Sequence, residues 1–247
     1  MDLSNLTFAE HGVLVLRGAF DPTGLADVLW GGLESRHRIR RDDRSTWPVG
    51  TFGKLTKFGK SGPFASVATS TIADALTATF DHEWHELERW GQPLITFPTP
   101  GPWSVPSTAW HLDFPPATPF PAIRMFAYLT SVAPKGGGTV VVAGSHRLVQ
   151  MEGDGTKSAT ARARLAARSS WFRDLWRPVP DEDRVERFMR EGHTLDGVDV
   201  RVVELTGEPG DVVLWHPSLL HGVAPNSRDE PRFMLTHTAL RGASAGG

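Results

Sequence analysis

From Gln92 onward the chain breaks into short β-branched or aromatic runs, at 93–97, 122–132, 139–143, 199–205, 211–215 and 232–240, each bounded by Gly- and Pro-rich turns. Strands of that length and spacing belong to an antiparallel barrel or sandwich. An Ala- and Arg-rich helical segment, 157–190, interrupts them and carries Trp171, Phe172 and Trp176. No linker-like stretch separates it from the flanking strands, so it reads as an insertion on the β core. The expected fold is therefore mainly β with flanking helices.

Ahead of Gln92 the texture is helical. A short helix leads into a strand at Val13-Leu14-Val15-Leu16, and Asp21 before Pro22 reads as the N-cap of a helix running to about His37. An amphipathic stretch from Ser66 to Trp90 reads as a second helix. Between them, 40–62 mixes basic residues, Gly, Pro and aromatics without a period, which suggests a mobile surface loop and a candidate lid. The expectation is one domain over 1–247: a helical part over 1–92 and a β core over 93–241, with the insertion at 157–190.

Composition narrows the chemistry. The 247 residues include no cysteine, which removes disulfides, thiolate metal sites and cysteine nucleophiles together; any metal must be held by His and carboxylate. A net charge of −2 gives no electrostatic case for nucleic acid or an anionic membrane, so a small-molecule partner is expected. The N-terminus lacks the layout of a signal peptide and no apolar run reaches the ~18 residues of a membrane span, so a cytoplasmic location is expected.

Imidazoles and carboxylates converge in two places. In Trp110-His111-Leu112-Asp113, residues two apart on a strand share a face, so His111 and Asp113 can grip one ion while Leu112 packs behind. In Gly210-Asp211-Val212-Val213-Leu214-Trp215-His216-Pro217-Ser218-Leu219-Leu220-His221-Gly222, an apolar strand runs into a loop ending on a histidine. Two His and one carboxylate make a facial triad that leaves three metal positions open for an oxo-acid and dioxygen. A five-carbon diacid bound there has a second carboxylate that suits a guanidinium, and Arg232, eleven residues past His221, fits that role.

Other groups read as structural. His146 suits the turn after Val140–Val142, and His216, five residues before His221, faces the other side of a continuous strand or sits beside the site. His82-Glu83-Trp84-His85 lacks the gap of a zinc-protease helix and reads as a solvated face. Tyr128 shares one alternating face with Arg124 and Phe126; if that face looks inward, the three touch cosubstrate or substrate, and otherwise the two aromatics are core.

In order and spacing, four segments resemble the phytanoyl-CoA dioxygenase family of Fe(II)- and 2-oxoglutarate-dependent oxygenases. They are Trp110 to Asp113, Gly136-Gly137-Gly138 through Gly144-Ser145-His146-Arg147, Gly210 through Gly222, and Asn226 with Arg232. The resemblance implies a double-stranded β-helix, a cupin-like jelly roll. It implies Fe(II) held by His111, Asp113 and His221, with Arg232 on the far carboxylate of 2-oxoglutarate. It further implies dioxygen as oxidant and hydroxylation or another oxidation of an unactivated C–H bond, with succinate and CO2 released. Two positions depart from the family pattern: Val223 stands where a Ser or Thr often follows the distal His-Gly, and Ala143 stands for a proline. Asp113 argues against a halogenase, in which Gly or Ala replaces the carboxylate. A 2-oxoglutarate-independent cupin, or a catalytically silent ligand-binding barrel, is the alternative reading.

Overall fold

Residues alternating between two apolar environments set the architecture. In the strand β6 (Thr139–Ala143) all five residues are buried, Val140 and Val142 under helices on one side and Val141 in the interior on the other. Strands buried on both faces read as unbroken Val runs, and each such side chain contributes about 1.5–3 kcal/mol through burial. The computed structural model describes residues 3–55, 62–80, 84–85, 90, 92–179 and 182–242.

Two antiparallel sheets face each other. The larger, seven-stranded sheet contains β1 (Val13–Leu16), β2 (Thr51–Phe52), β3 (Trp84–His85), β4 (Gln92–Thr96), β5 (Ala122–Tyr128), β9 (Val212–Trp215) and β11 (Arg232–Arg241), in the order β1-β9-β5-β11-β4-β2, with β3 on β11. The smaller has β6 between β10 (His221–Val223) and β8 (Val198–Glu204), with β7 (His193–Leu195) beyond β8. This is the double-stranded β-helix expected from the sequence. Phe126, Tyr128, Val213, Trp215 and Met234 of the larger sheet meet Val141, Val203 and Leu205 of the smaller between them.

Helices cover the outer faces. After the four-residue α1 (Phe8–His11), α2 (Leu25–His37) and α3 (Ser70–Phe80) pack on the larger sheet through Leu29, Leu33, Ile72 and Leu76. On the smaller sheet α4 (Ser145–Met151), α5 (Ser158–Arg168), α6 (Ser170–Leu175) and a π-helical turn, Glu186–Glu191, bury Leu148, Leu165, Phe172 and Phe188. The insertion is thus helical, and its Trp171 and Phe172 are packing groups. Two glycines are required by close approach: at Gly144 (φ +85°) a Cβ would lie 2.4 Å from the Asp199 carbonyl, and at Gly137 (φ +76°) 2.8 Å from Asn226 Cβ.

Two expectations are corrected. Asp21 does not cap α2; its carboxylate accepts the Thr23 N–H at 3.0 Å and closes the Asp-Pro turn, and the helix begins after Gly24. Among the described residues the helix expected over 66–90 covers Ser70–Phe80, preceded by a 3-10 turn, Pro63–Val67, and Trp84–His85 form β3, where pairing with β11 overrides helix propensity. In the described part of 40–62, β2 pairs with β4, and Trp47 packs 5.8 Å from the Trp30 ring and 5.7 Å from Phe97. Residues 56–61 of the candidate lid, and His82 and Glu83, lie outside the described residues.

Candidate metal centre and its surroundings

His111 and His221 meet through their backbones. His111 N–H donates to the His221 carbonyl at 3.0 Å and His221 N–H to the His111 carbonyl at 3.1 Å, an isolated antiparallel bridge. Residues directly opposite in such a pair project to the same side, and the two rings lie 4.1 Å apart. Their neighbours alternate away: Trp110, Leu112 and Leu220 enter the cluster under the helices. Trp110 is held there by its indole N–H on the Pro106 carbonyl, 2.8 Å.

The tautomers are set from behind. His111 Nδ1 lies 2.8 Å from the Ala109 carbonyl and His221 Nδ1 3.0 Å from the Leu219 carbonyl, so each Nδ1 carries the proton and each Nε2 offers a lone pair. Ala109 reaches its position with φ +64°, an uncommon conformation for a residue with a side chain. Both Nε2 atoms are 3.6 Å from Asp113 Oδ1. Among the described residues these three make a group able to hold a metal ion, with ligand atoms within 4.8 Å of one another. Two neutral imidazoles and one carboxylate suit a divalent ion such as Fe(II).

Electrostatics favour a charged acid beside a neutral His221. Burial works to raise the Asp113 carboxyl, but the His111 and His221 imidazoles and the Arg124 cation overcome it and hold it at about 2. Burial pushes His221 down to about 4, whereas Asp113 raises His111, whose side chain is half-exposed at the mouth of the site. Arg124 Nε donates to Asp113 Oδ2 at 2.7 Å. Its other nitrogens donate to Thr236 Oγ1 at 3.1 Å and to Thr238 Oγ1, and the guanidinium lies 5.6 Å over the Trp215 ring.

Arg232 lies on the same face of β11 as Met234 and Thr236 and is 3% exposed. Nη2 donates to Thr96 Oγ1 at 2.8 Å, while the buried Nε and Nη1 meet no acceptor among the described residues. Burial lowers its pKa to about 10, against the opposing influence of Tyr128 and Glu204, which leaves it a cation at neutral pH. A buried guanidinium with one hydrogen bond is unstable unless an anion completes it. Tyr128 is fully buried with its hydroxyl donating to the Leu205 carbonyl at 3.0 Å. The Arg124, Phe126 and Tyr128 face does look into the interior, as Phe126 and Tyr128 pack with Trp215 and Met234.

The triad residues expected from sequence come together, although His111 sits in a single bridge and Asp113 in a bend, not in one regular strand. His146 and His216 pair with each other, rings 4.9 Å apart, with His146 Nε2 3.2 Å from the Ala9 carbonyl. Val223 is 40% exposed, and the hydroxyl that meets Arg232 comes from Thr96. Sequence reasoning missed Thr96, Thr236 and Thr238 and gave Arg124 no contact with Asp113.

The profile of the phytanoyl-CoA dioxygenase family matches residues 8–234. No curated protein matches the sequence significantly. Solved structures do. EctD from S. alaskensis with bound Fe is 19% identical with a TM-score of 0.53, over 94% of this chain and 74% of that one. The epimerase SnoN in complex with Fe3+, alpha ketoglutarate and nogalamycin RO is 18% identical with a TM-score of 0.51, over 94% and 80%. The alpha ketoglutarate dependent carbocyclase SnoK from nogalamycin biosynthesis is 15% identical with a TM-score of 0.52, over 97% and 86%. At these identities the structural likeness is one of fold. Among the described residues no helix is long and apolar enough to cross a membrane.

Proposed function

The chain belongs to the phytanoyl-CoA dioxygenase family, and on that premise we propose that it is an Fe(II)- and 2-oxoglutarate-dependent dioxygenase that oxidises an unactivated C–H bond of a small-molecule metabolite. His111 Nε2, His221 Nε2 and Asp113 Oδ1 would hold the iron. Arg232, with Thr96 beside it, would receive the far carboxylate of 2-oxoglutarate, and Tyr128, opposite Met234 in the strand pairing, would lie beside it. The observation that carries this reading is the buried, half-satisfied Arg232 cation inside the same barrel as the triad. A metal-only cupin has no use for it.

When bound, iron and 2-oxoglutarate would supply a two-electron oxidant from dioxygen as the keto acid becomes succinate and CO2; one oxygen atom goes to succinate and the other to the product in a hydroxylation, or to water where the substrate only loses two hydrogens. The chain's own contribution is placement and exclusion of water. The backbone bridge fixes both imidazoles, their Nδ1 protons are occupied by carbonyls, and Phe126, Trp215, Val141 and Met234 surround the interior. The half-exposed edge of His111 marks the side from which substrate approaches. SnoN is an epimerase and SnoK a carbocyclase, so hydroxylation, desaturation and ring formation all lie within reach of one such centre.

The test is succinate formation by purified protein given Fe(II), ascorbate, 2-oxoglutarate and air. Slow uncoupled turnover is expected even without the true substrate, and it should vanish when iron is omitted or Asp113 is replaced by Ala. No succinate from iron-loaded protein under any of a range of metabolite pools would contradict the assignment.

A further inference from the structure

We propose that Arg124 is a positioning residue that keeps Asp113 a one-oxygen ligand, holding Oδ2 off the metal so that only Oδ1 faces it. The inference rests on the reading of this site as an iron and 2-oxoglutarate centre and concerns a residue outside the triad.

The two carboxylate oxygens of Asp113 have different partners. Oδ1 is 3.6 Å from each imidazole Nε2, and Oδ2 receives the Arg124 Nε–H at 2.7 Å. An unrestrained carboxylate binds a divalent ion through one oxygen or two. Two-oxygen binding here would fill four positions with protein ligands and leave two, one fewer than a chelating keto acid and dioxygen require together. A charge-assisted bond of this length occupies the second oxygen and sets the plane of the carboxylate.

The guanidinium is itself fixed. Arg124 stands on β5 opposite Thr238 of β11, with Thr236 opposite Phe126, so both hydroxyls lie on the inner face next to it. Its two terminal nitrogens bond to these hydroxyls, and its plane is covered by the Trp215 ring. Asp113 sits in a bend, not in a strand whose ladder would fix its direction. The long-range contact from β5 does the aiming.

Two substitutions separate hydrogen bonding from charge. Arg124→Gln places an amide nitrogen the same number of bonds from Cα as the arginine Nε, which preserves a donor to Oδ2 and removes the cation. Arg124→Leu removes both. The measurements are made anaerobically on the full chain: the dissociation constant for Fe(II), and the intensity at saturating iron of the visible charge-transfer band that 2-oxoglutarate induces. The Leu variant is expected to bind iron about 10- to 100-fold more weakly, the usual consequence of losing a group that supports a metal ligand, and to give a diminished band at saturating iron. The Gln variant should stay within a few-fold of wild type and keep the band. A Leu variant equal to wild type in both measurements, or a Gln variant as impaired as Leu, overturns the proposal. Should the Leu variant not fold, Thr236→Val with Thr238→Val frees the guanidinium while keeping its charge, and the same weakening is expected; no change overturns the proposal. A wild-type protein that takes up no iron overturns the functional reading and this inference with it, whereas wild-type binding beside an unchanged Leu variant overturns this inference alone.

Discussion

His111 and His221, 110 residues apart in the chain, exchange both backbone hydrogen bonds and set their imidazole rings 4.1 Å from each other. The two ligands therefore need no metal to find one another. Only the carboxylate must be brought in, and Arg124 holds it.

Preformed ligands bind metal in the folded state alone, so divalent ions should stabilise the protein by mass action. At a metal concentration 100 times the dissociation constant the gain is about 2.7 kcal/mol. Thermal melting with Mn(II) should show a rise in Tm for wild type and none for His111→Ala, whose half-exposed side chain contributes little to packing. A rise of equal size in both proteins would place the metal elsewhere.

Arg232 and Thr96 act on cosubstrate affinity. Replacing Arg232 by Ala should weaken 2-oxoglutarate binding by about 1.5–3 kcal/mol, the range for hydrogen bonds to charged groups, and leave metal affinity in place. Thr96→Val removes the guanidinium's hydroxyl partner and should cost about 1 kcal/mol in the same measurement. Isothermal titration of the Mn(II) form reads both; an unchanged affinity in the Arg232 variant would assign the far carboxylate to another cation.

Support for the His111 segment comes from the helical insertion. Arg184 donates to the Val105, Pro106, Leu175 and Asp174 carbonyls at 2.9–3.1 Å, and the Pro106 carbonyl also holds Trp110, the residue before His111. Arg184→Met should destabilise the fold by roughly 2–4 kcal/mol through carbonyls left unpaired and lower metal affinity as well. A denaturant midpoint indistinguishable from wild type would remove this link between insertion and site.

Away from the metal, burial pushes His146 down to about 4 and His216 to about 3. Both are neutral when folded and take up protons when unfolded near 6.5, so the unfolded state binds more protons below that pH. Stability is fully present above pH 6.5 and falls as the pH drops, by roughly 1 kcal/mol per unit for each histidine, to about pH 4 for both and about pH 3 for His216. Urea midpoints between pH 7 and 4 should trace this slope, and His146→Gln should flatten it. A midpoint that does not move over that range would contradict the buried neutral pair.

The β core was legible because double-sided burial writes itself as Val-rich runs: 139–143 coincides with β6, and 93–97, 199–205 and 232–240 match β4, β8 and β11 to within about a residue at either end. The three-residue β10 carries the distal ligand yet has no run to announce it, and two-residue β2 and β3 exist only through their partners. The triad was readable from residue types and the order of segments. The contact between Arg232 and Thr96 spans 136 residues and follows from the pairing of β4 with β11, which nothing local encodes. Likewise, that Arg124 touches Asp113 while Tyr128 turns to the Leu205 carbonyl depends on strand register and on the path of the 113–121 segment. Asp21 misled because an Asp-Pro pair opens a turn as readily as a helix.

The most direct measurement is an anaerobic titration of the full chain with Fe(II) and then 2-oxoglutarate, followed in the visible range. Joint binding predicts a charge-transfer band that saturates at one equivalent of iron, is absent in Asp113→Ala and requires more 2-oxoglutarate in Arg232→Ala. Iron that binds tightly at His111, Asp113 and His221 while 2-oxoglutarate produces no band would contradict it.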